Sequence, residues 1–339
     1  MKQKRNSGDK LMKLKDIKFN KKKAIPVIIL ILILLFVLSL VLTANHFLGK
    51  INRENEEDLS YVEDYFETNV HNENLEEIHP DDVDWDNKEL YNDEKLVNIL
   101  VVGQDGRESV GRTRTDTMIL LSFNPETNEA SMISFLRDLY VQIPGRSDNR
   151  LNAAYVFGGF SLLKNTFKAN FDINIDGCFK IDFEGFEDVI DILGGVDIEL
   201  TAEEAKIIGD GAHAGVSHLD GDHALMYARI RKLDSDFGRT QRQRNIVTAV
   251  FNKVKKSSVS ELLRLVDVVL PYLSTDMSNA QIMRIAMKYA PALASLKVST
   301  HSIPAEGTYK DASIRGMAVL VPDLYKTKKL LFEEFMPFN

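Results

Sequence analysis

Apolar positions recur in three rhythms along the chain. An unbroken run, AIPVIILILILLFVLSLVLTA at 24–44, holds no charged residue, and its length suits a helix crossing about 30 Å of hydrocarbon. Short branched runs come next: LVNILVVG (96–103), DTMILLSF (116–123) and EASMISFL (129–136). These suit buried strands, and the turn NPETN makes a hairpin of the last two. Helical periods then alternate with strand-like runs. FSLLKNTFKANF (160–171) predicts an amphipathic helix, CFKIDF (178–183) a strand, FEDVIDILGG (186–195) a helix ended by glycines, and VDIEL (196–200) a strand. Further helices are expected at TQRQRNIVTAVFNKV (240–254), SSVSELLRLVDVVL (257–270) and NAQIMRIAMKYA (279–290). A strand, KVSTHSI (297–303), and a helix, DLYKTKKLLFEEF (323–335), follow them. Strands interleaved with helices imply an α/β or α+β sandwich around a mostly buried sheet. The pattern does not set the strand order.

Charge orients these pieces. A basic leader, residues 1–23, carries ten Lys or Arg against Asp9 and Asp16. The excess of Lys and Arg marks the cytoplasmic flank of the span at 24–44, so everything after Lys50 is expected outside. A cleaved signal peptide is the competing reading, for which Leu42-Thr43-Ala44 is a poor cleavage site. Residues 45–95 read as an acidic stalk, solvated and holding the domain that follows away from the bilayer. Between 51 and 95 there are seventeen Asp or Glu against Arg53, Lys88 and Lys95. Trp85 sits in this stretch, placed to touch either the domain or the membrane surface. The remaining domain, 96–339, is long enough for one core. Cys178 is the chain's single cysteine, so an intrachain disulfide framework is excluded.

The overall charge is −8, yet YARIRKLDSDFGRTQRQR (227–244) gathers Arg229, Arg231, Lys232, Arg239, Arg242 and Arg244. One basic stripe on a near-neutral domain points to a local anion site. Other charged residues fall at strand ends, where a rigid sheet positions loops: Asp105 after the first strand, Arg114 and Asp116 at the second, Arg137 and Asp138 after the third. Asp105 and Asp116 suit one Mg²⁺, which takes a carboxylate or two together with phosphate oxygens. Planar guanidinium forks suit phosphate. Together they suggest a phosphate ester. Taken singly, each has a plain reading: turn-forming aspartates, a solvated Arg137–Asp138 pair, surface arginines on a helix. His213, His218, His223 and His301 show no metal spacing, and no P-loop or G-x-S-x-G motif is present.

NILVVGQDGR (98–107), RTRTDTMILLSF (112–123), SFLRDLYVQIPG (134–145), RLNAAYVFGG (150–159), HLDGDHALMYARIR (218–231) and DFGRTQRQRNIV (236–247) follow one another in a telling order. In that order and approximate spacing the chain resembles the LytR-CpsA-Psr family over 96 to about 250. The resemblance implies a central mixed β-sheet sandwiched by helices, a hydrophobic tunnel for a polyprenyl chain, and a single membrane anchor of Gram-positive type. It implies transfer of a glycopolymer (teichoic acid, capsule or another wall polymer) from an undecaprenyl-pyrophosphate carrier to peptidoglycan, forming a phosphodiester. Carried over by motif, Asp105 and Asp116 hold Mg²⁺, or Mn²⁺, and either takes the acceptor proton. Arg137, Arg229, Arg231, Arg239 and Arg242 cradle the pyrophosphate, supported by Gln243 and Arg114. The chain departs from the family pattern at Leu136, Leu139, Gln241 and Ala153, none a charged member of the site. Two other classes remain: a lipid-pyrophosphate phosphatase or non-catalytic carrier-binding protein at the same site, and a nucleic-acid-binding regulator. The expected topology puts the arginines across the membrane from the chromosome, so no nucleic-acid partner is expected.

Overall fold

The computed structural model describes residues 42–54, 75–85, 96–104, 115–231, 233, 236–289 and 295–338. The chain divides into two compact units, 1–46 and 47–339. Of the first, residues 42–46 are described, and they are helical; most of the expected span, with the leader, lies outside the described residues. Among the described residues no helix is long and apolar enough to cross a membrane.

The second unit is built on a seven-stranded sheet. Its strands are β1 (Asn52–Arg53), β2 (Val97–Gln104), β3 (Thr115–Asn124) and β4 (Glu129–Phe135), then β7 (Gly177–Ile181), β10 (Leu273–Thr275) and β11 (Lys297–Ile303). A short pair, β5 (Tyr140–Val141) and β6 (Asn149–Arg150), precedes helix α1 (Ala153–Phe171) and strand β7 (Gly177–Ile181). Next come α2 (Phe183–Ile192), β8 (Val196–Leu200), α3 (Ala202–Ile208), β9 (Gly215–Leu219), α4 (Gly221–Ala228) and the long α5 (Asp236–Lys256). The rest is α6 (Val259–Val269), β10 (Leu273–Thr275), α7 (Asn279–Tyr289), β11 (Lys297–Ile303), β12 (Tyr309–Ile314), β13 (Met317–Pro322) and α8 (Leu324–Leu330). The sheet runs β1-β10-β7-β2-β3-β4-β11. The β2–β3, β3–β4 and β7–β10 pairs are antiparallel, and the β2–β7, β4–β11 and β1–β10 pairs are parallel. The interleaved strands and helices agree with the expected α/β class, and the mixed sheet agrees with what the resemblance implies.

Period-two alternation assigns the two faces. On β2 the side chains of Asn98, Leu100, Val102 and Gln104 are buried, while Val97, Ile99, Val101 and Gly103 are half-buried. Leu100, Val102, Met118, Leu120, Ile133 and Phe135 pack on Phe157, Phe160, Leu163, Phe167 and Phe171 of α1, closed by Leu324, Leu331 and Phe332. A separate core on Ile198, Ala205, Leu219, Tyr227 and Ile246 ties β8, α3, β9, α4 and α5 together.

Several elements differ from the pattern's expectation. Helix α1 starts at Ala153, seven positions before the expected Phe160, because it is two helical pieces joined at a kink. Gly158 and Gly159 leave helical geometry there, Gly159 with φ 60°, which a residue with a Cβ adopts at a cost. Asp182, expected inside a strand, instead caps α2, its Oδ1 accepting the Gly185 N–H at 2.8 Å. The β12–β13 hairpin was not expected; its two-residue turn has Arg315 at φ 52° and Gly316 at φ 74°, a primed turn without the usual Asn-Gly signature. Two pieces of the acidic stretch belong to the fold. Asn52 and Arg53 extend the sheet beside β10, and Trp85 stacks on Tyr140 with ring centroids 5.9 Å apart.

Candidate functional site

The second face of the sheet is where the predicted residues meet. Val101 and Gly103 of β2, Thr117 and Ile119 of β3, and Ile181 of β7 floor a cleft. Its walls are Phe186 of α2, Leu225 and Ala228 of α4, and Ile246 and Val247 of α5. Polar side chains gather on the same cleft: Asp116, Asp182, Arg229, Arg231, Arg239 and Gln243. Apolar walls with a few convergent charged groups are the general form of a small-molecule site.

Topology explains the convergence. Asp116 is the second residue of β3, and Arg137 lies two residues beyond the neighbouring β4. Arg229 ends α4, its N–H bonded to the Leu225 carbonyl, and Arg231 follows two residues on. Arg239 and Gln243, four apart on α5, share one helix face.

One carboxylate organises two arginines. Asp116 Oδ1 accepts from Arg137 Nη1 at 2.7 Å, and Oδ2 accepts from Arg231 Nη2 at 3.3 Å. The Arg231 side chain is 55% exposed and that of Asp116 only 18%, so Asp116 is fixed while Arg231 faces solvent. Arg137 also lies 3.4 Å from carboxylate oxygens of both Asp138 and Asp236. Burial alone would lower its pKa, but Asp138, Asp116 and Asp236 together raise it. Arg239 is in the opposite condition. Its side chain is 4% exposed, its Nη1 pairs with Asp236 Oδ1 at 3.0 Å, and its Nε has no hydrogen-bond partner among the described residues. Burial and the nearby positive charges of Arg137 and Arg231 lower its pKa against the pull of Asp236 and Asp116. A bound anion would relieve that cost, because a buried donor left unmade is expensive.

Asp236 and Asp138 share a hydrogen bond. Burial and that bond raise the Asp138 pKa to about 6, whereas Asp236 is lowered overall, its own burial outweighed by the bond from Asp138 and by Arg239 and Arg137. Buried Arg150 braces the pair from behind, its Nε 3.3 Å from Asp138 Oδ1 and its Nη2 donating to the Ala318 carbonyl at 2.7 Å.

The structure thus brings Asp116, Arg137, Arg229, Arg231, Arg239 and Gln243 together. Arg242 is a correction. Expected in the cradle, it points instead into the α3–α4 core, with Nε donating to Glu204 Oε1 at 2.8 Å and Nη1 to the Ile230 carbonyl at 3.0 Å. Arg244 is likewise turned away, toward Ser302 and Gln241. Asp105 and Arg114 lie outside the described residues. Sequence reasoning missed Asp236 and Arg150; the i,i+3 spacing of Asp236 to Arg239 was the available signal for the first. Among the described residues no group of three or more His, Cys, Asp or Glu is arranged to hold a metal.

Comparison with known proteins gives concordant matches. The profile of the LytR_cpsA_psr family matches residues 59–331. The polyisoprenyl-teichoic acid–peptidoglycan teichoic acid transferase TagU of Oceanobacillus iheyensis is 34% identical over 233 residues, covering 65% of this chain and 72% of its own. Among solved structures, one described as TagT bound to LIIa-WTA superposes with a TM-score of 0.59 at 29% identity, covering 73% of this chain and 94% of that one. Another, the LytR-CPS2A-psr family protein YwtF (TagT) with bound octaprenyl pyrophosphate lipid, gives 0.55 at 27% identity, covering 73% and 93%.

Proposed function

This chain belongs to the LytR_cpsA_psr family, and from that membership we propose that it transfers a glycopolymer from a polyprenyl-pyrophosphate carrier to peptidoglycan outside the cell. One observation carries the reading: an apolar cleft and a cluster of arginines share one opening. That pairing suits an amphiphile whose hydrocarbon lies between sheet and helices and whose diphosphate meets Arg229, Arg231 and Arg239. TagU supports it by its name, and YwtF (TagT) by its bound octaprenyl pyrophosphate lipid.

In the proposed reaction an acceptor sugar hydroxyl attacks the phosphorus that carries the donor sugar. The anhydride bond to the second phosphorus breaks, its electron pair leaves on the polyprenyl phosphate, and the hydroxyl proton passes to a carboxylate or to water. Positioning and charge neutralisation do most of the work in such transfers. Arg231 and Arg239 meet the negative oxygens, Arg137 keeps Asp116 oriented, and Gln243 adds a neutral donor. We infer that a divalent cation would take Asp116 as one of its ligands. Both Asp116 oxygens accept from guanidinium groups, and each carboxylate oxygen keeps a further lone pair. Asp116 with Asp105 would hold Mg²⁺ or Mn²⁺, which supplies charge neutralisation at the diphosphate. The span at 24–44 would keep the cleft within reach of its lipid substrate.

The test is transfer itself. The purified chain, Mg²⁺, a labelled polyprenyl-pyrophosphate saccharide and peptidoglycan oligomers should give label covalently attached to the glycan. Arg231→Ala and Asp116→Ala should each reduce that by about 10²-fold or more. Label released only as free sugar phosphate would replace the transferase with a phosphatase.

A further inference from the structure

A second opening, lined by different residues, is linked to the arginine site through packed elements. This groove lies between residues 78–84, the β12–β13 hairpin and the start of α8, and Asp82, Asp84, Tyr309, Lys310, Asp323 and Tyr325 are among its lining. Two contacts tie it to the site. The Tyr309 ring lies 5.7 Å from that of Phe237, the residue after Asp236. On the paired strand, the Leu320 N–H donates to the Asp138 carbonyl at 2.9 Å. The groove wall and the carboxylates that hold Arg137 and Arg239 are therefore parts of one framework.

Its chemistry differs from that of the cleft. Tyr325 is 45% exposed, Asp82, Asp84 and Lys310 are exposed, and Tyr309 is half-buried. Lys326 is already paired with Asp323 at 2.8 Å. Three carboxylates against two lysines leave the rim acidic, which repels a polyphosphate chain. Too many charges line it for a hydrocarbon tail. Aromatic faces beside carboxylates and a lysine match a neutral polyhydroxylated chain: its C–H faces lie on the rings and its hydroxyls donate to the acids.

We propose that this groove seats the acceptor, a glycan strand, and delivers one of its hydroxyls toward the arginine-held diphosphate. The proposal rests on the transferase reading for the direction of delivery, though not for the binding itself.

The deciding experiment titrates neutral N-acetylhexosamine oligosaccharides, the uncharged backbone of such a strand, into the full chain in detergent, comparing wild type, Tyr325→Phe and the double variant Tyr325→Ala with Asp84→Ala. The double variant should bind the oligosaccharide about tenfold more weakly, and Tyr325→Phe, which keeps the ring, should stay near wild type. Octaprenyl pyrophosphate should bind all three alike, which shows that the fold is intact. Equal oligosaccharide affinity in wild type and double variant overturns the proposal, as does preference for a polyglycerol-phosphate chain over the neutral glycan. If no transfer occurs but oligosaccharide binding depends on Tyr325, the groove stands and the transferase reading falls. If transfer proceeds with an unchanged acceptor KM in the double variant, the groove falls alone.

Discussion

The two faces of the central sheet are built from the same strands and end differently. Alternate residues of β2 and β3 are apolar on both sides, so the strands alone do not decide which side closes. The helices opposite decide it. Helix α1 presents Phe157, Phe160, Leu163, Phe167 and Phe171, large enough to fill the space over Leu100, Val102 and Leu120. On the other face α4 and α5 offer Ala228 and Val247 over Val101 and Ile119, and a cleft remains. A close-packed core and a ligand-shaped opening are thus separated by a few side-chain volumes.

The largest effects should fall on the closed face. Phe167 is fully buried among Phe135 and Phe171, and Phe167→Ala should cost about 3–5 kcal/mol of stability, read as a lowered thermal midpoint. Filling the cleft with Val247→Trp should lower stability by less than about 1 kcal/mol, since the ring enters open space, while weakening octaprenyl pyrophosphate binding at least tenfold. Equal thermal losses in the two variants would break the distinction between the faces.

The same contrast recurs within one helix. Arg239 and Arg242 are both 4% exposed, yet one faces the cleft with an unmet donor and the other is locked to Glu204. Arg242→Met should leave Glu204 charged and buried without its partner, a loss of about 3 kcal/mol that the added change Glu204→Leu largely restores. Arg239→Met should instead spare stability and lower transfer. If Arg242→Met, paired with Glu204→Leu, folds as well as wild type but has lost donor binding, then Arg242 belongs to the cradle after all.

That pair also marks how far the residues could be read. The strands β2, β3, β4, β8 and β11 and the β3–β4 hairpin follow from period and punctuation, and most of the arginine cluster follows from strand-end position and motif. Arg242 did not, because positions 239, 242, 243 and 246 fall within one broad helical stripe. What separates them is Glu204, thirty-eight residues away and brought near only by the packing of α3. The β12–β13 hairpin escaped notice because Lys310 and Asp311 interrupt its apolar run and Arg315-Gly316 is an unusual turn. Asp236 lies within the basic stripe of the sequence, and only the fold shows it holding Arg137 and Arg239 together.

A further effect, spread over pH, concerns the shared proton beside that cluster. Burial and the bond to Asp236 raise the folded-state pKa of Asp138 to about 6 from an ordinary value of 3.8. Between those values the folded chain holds a proton that the unfolded chain has released, so this group makes stability fall as pH rises from about 4 to about 6. Asp236, lowered overall by the bond from Asp138 and the two arginines against its own burial, acts in a different window. Its contribution is present above its unfolded value and is lost as pH falls through the lower folded one. Asp138→Asn removes the first contribution and keeps a hydrogen-bond donor toward Asp236. Thermal midpoints measured across about pH 4 to 7 should therefore decline less steeply for Asp138→Asn than for wild type, by roughly 2 kcal/mol at most over the interval. Parallel curves would mean that Asp138 is already ionised below that window, held by Arg137 and Arg150, and that the acidic face of the cluster is charged throughout.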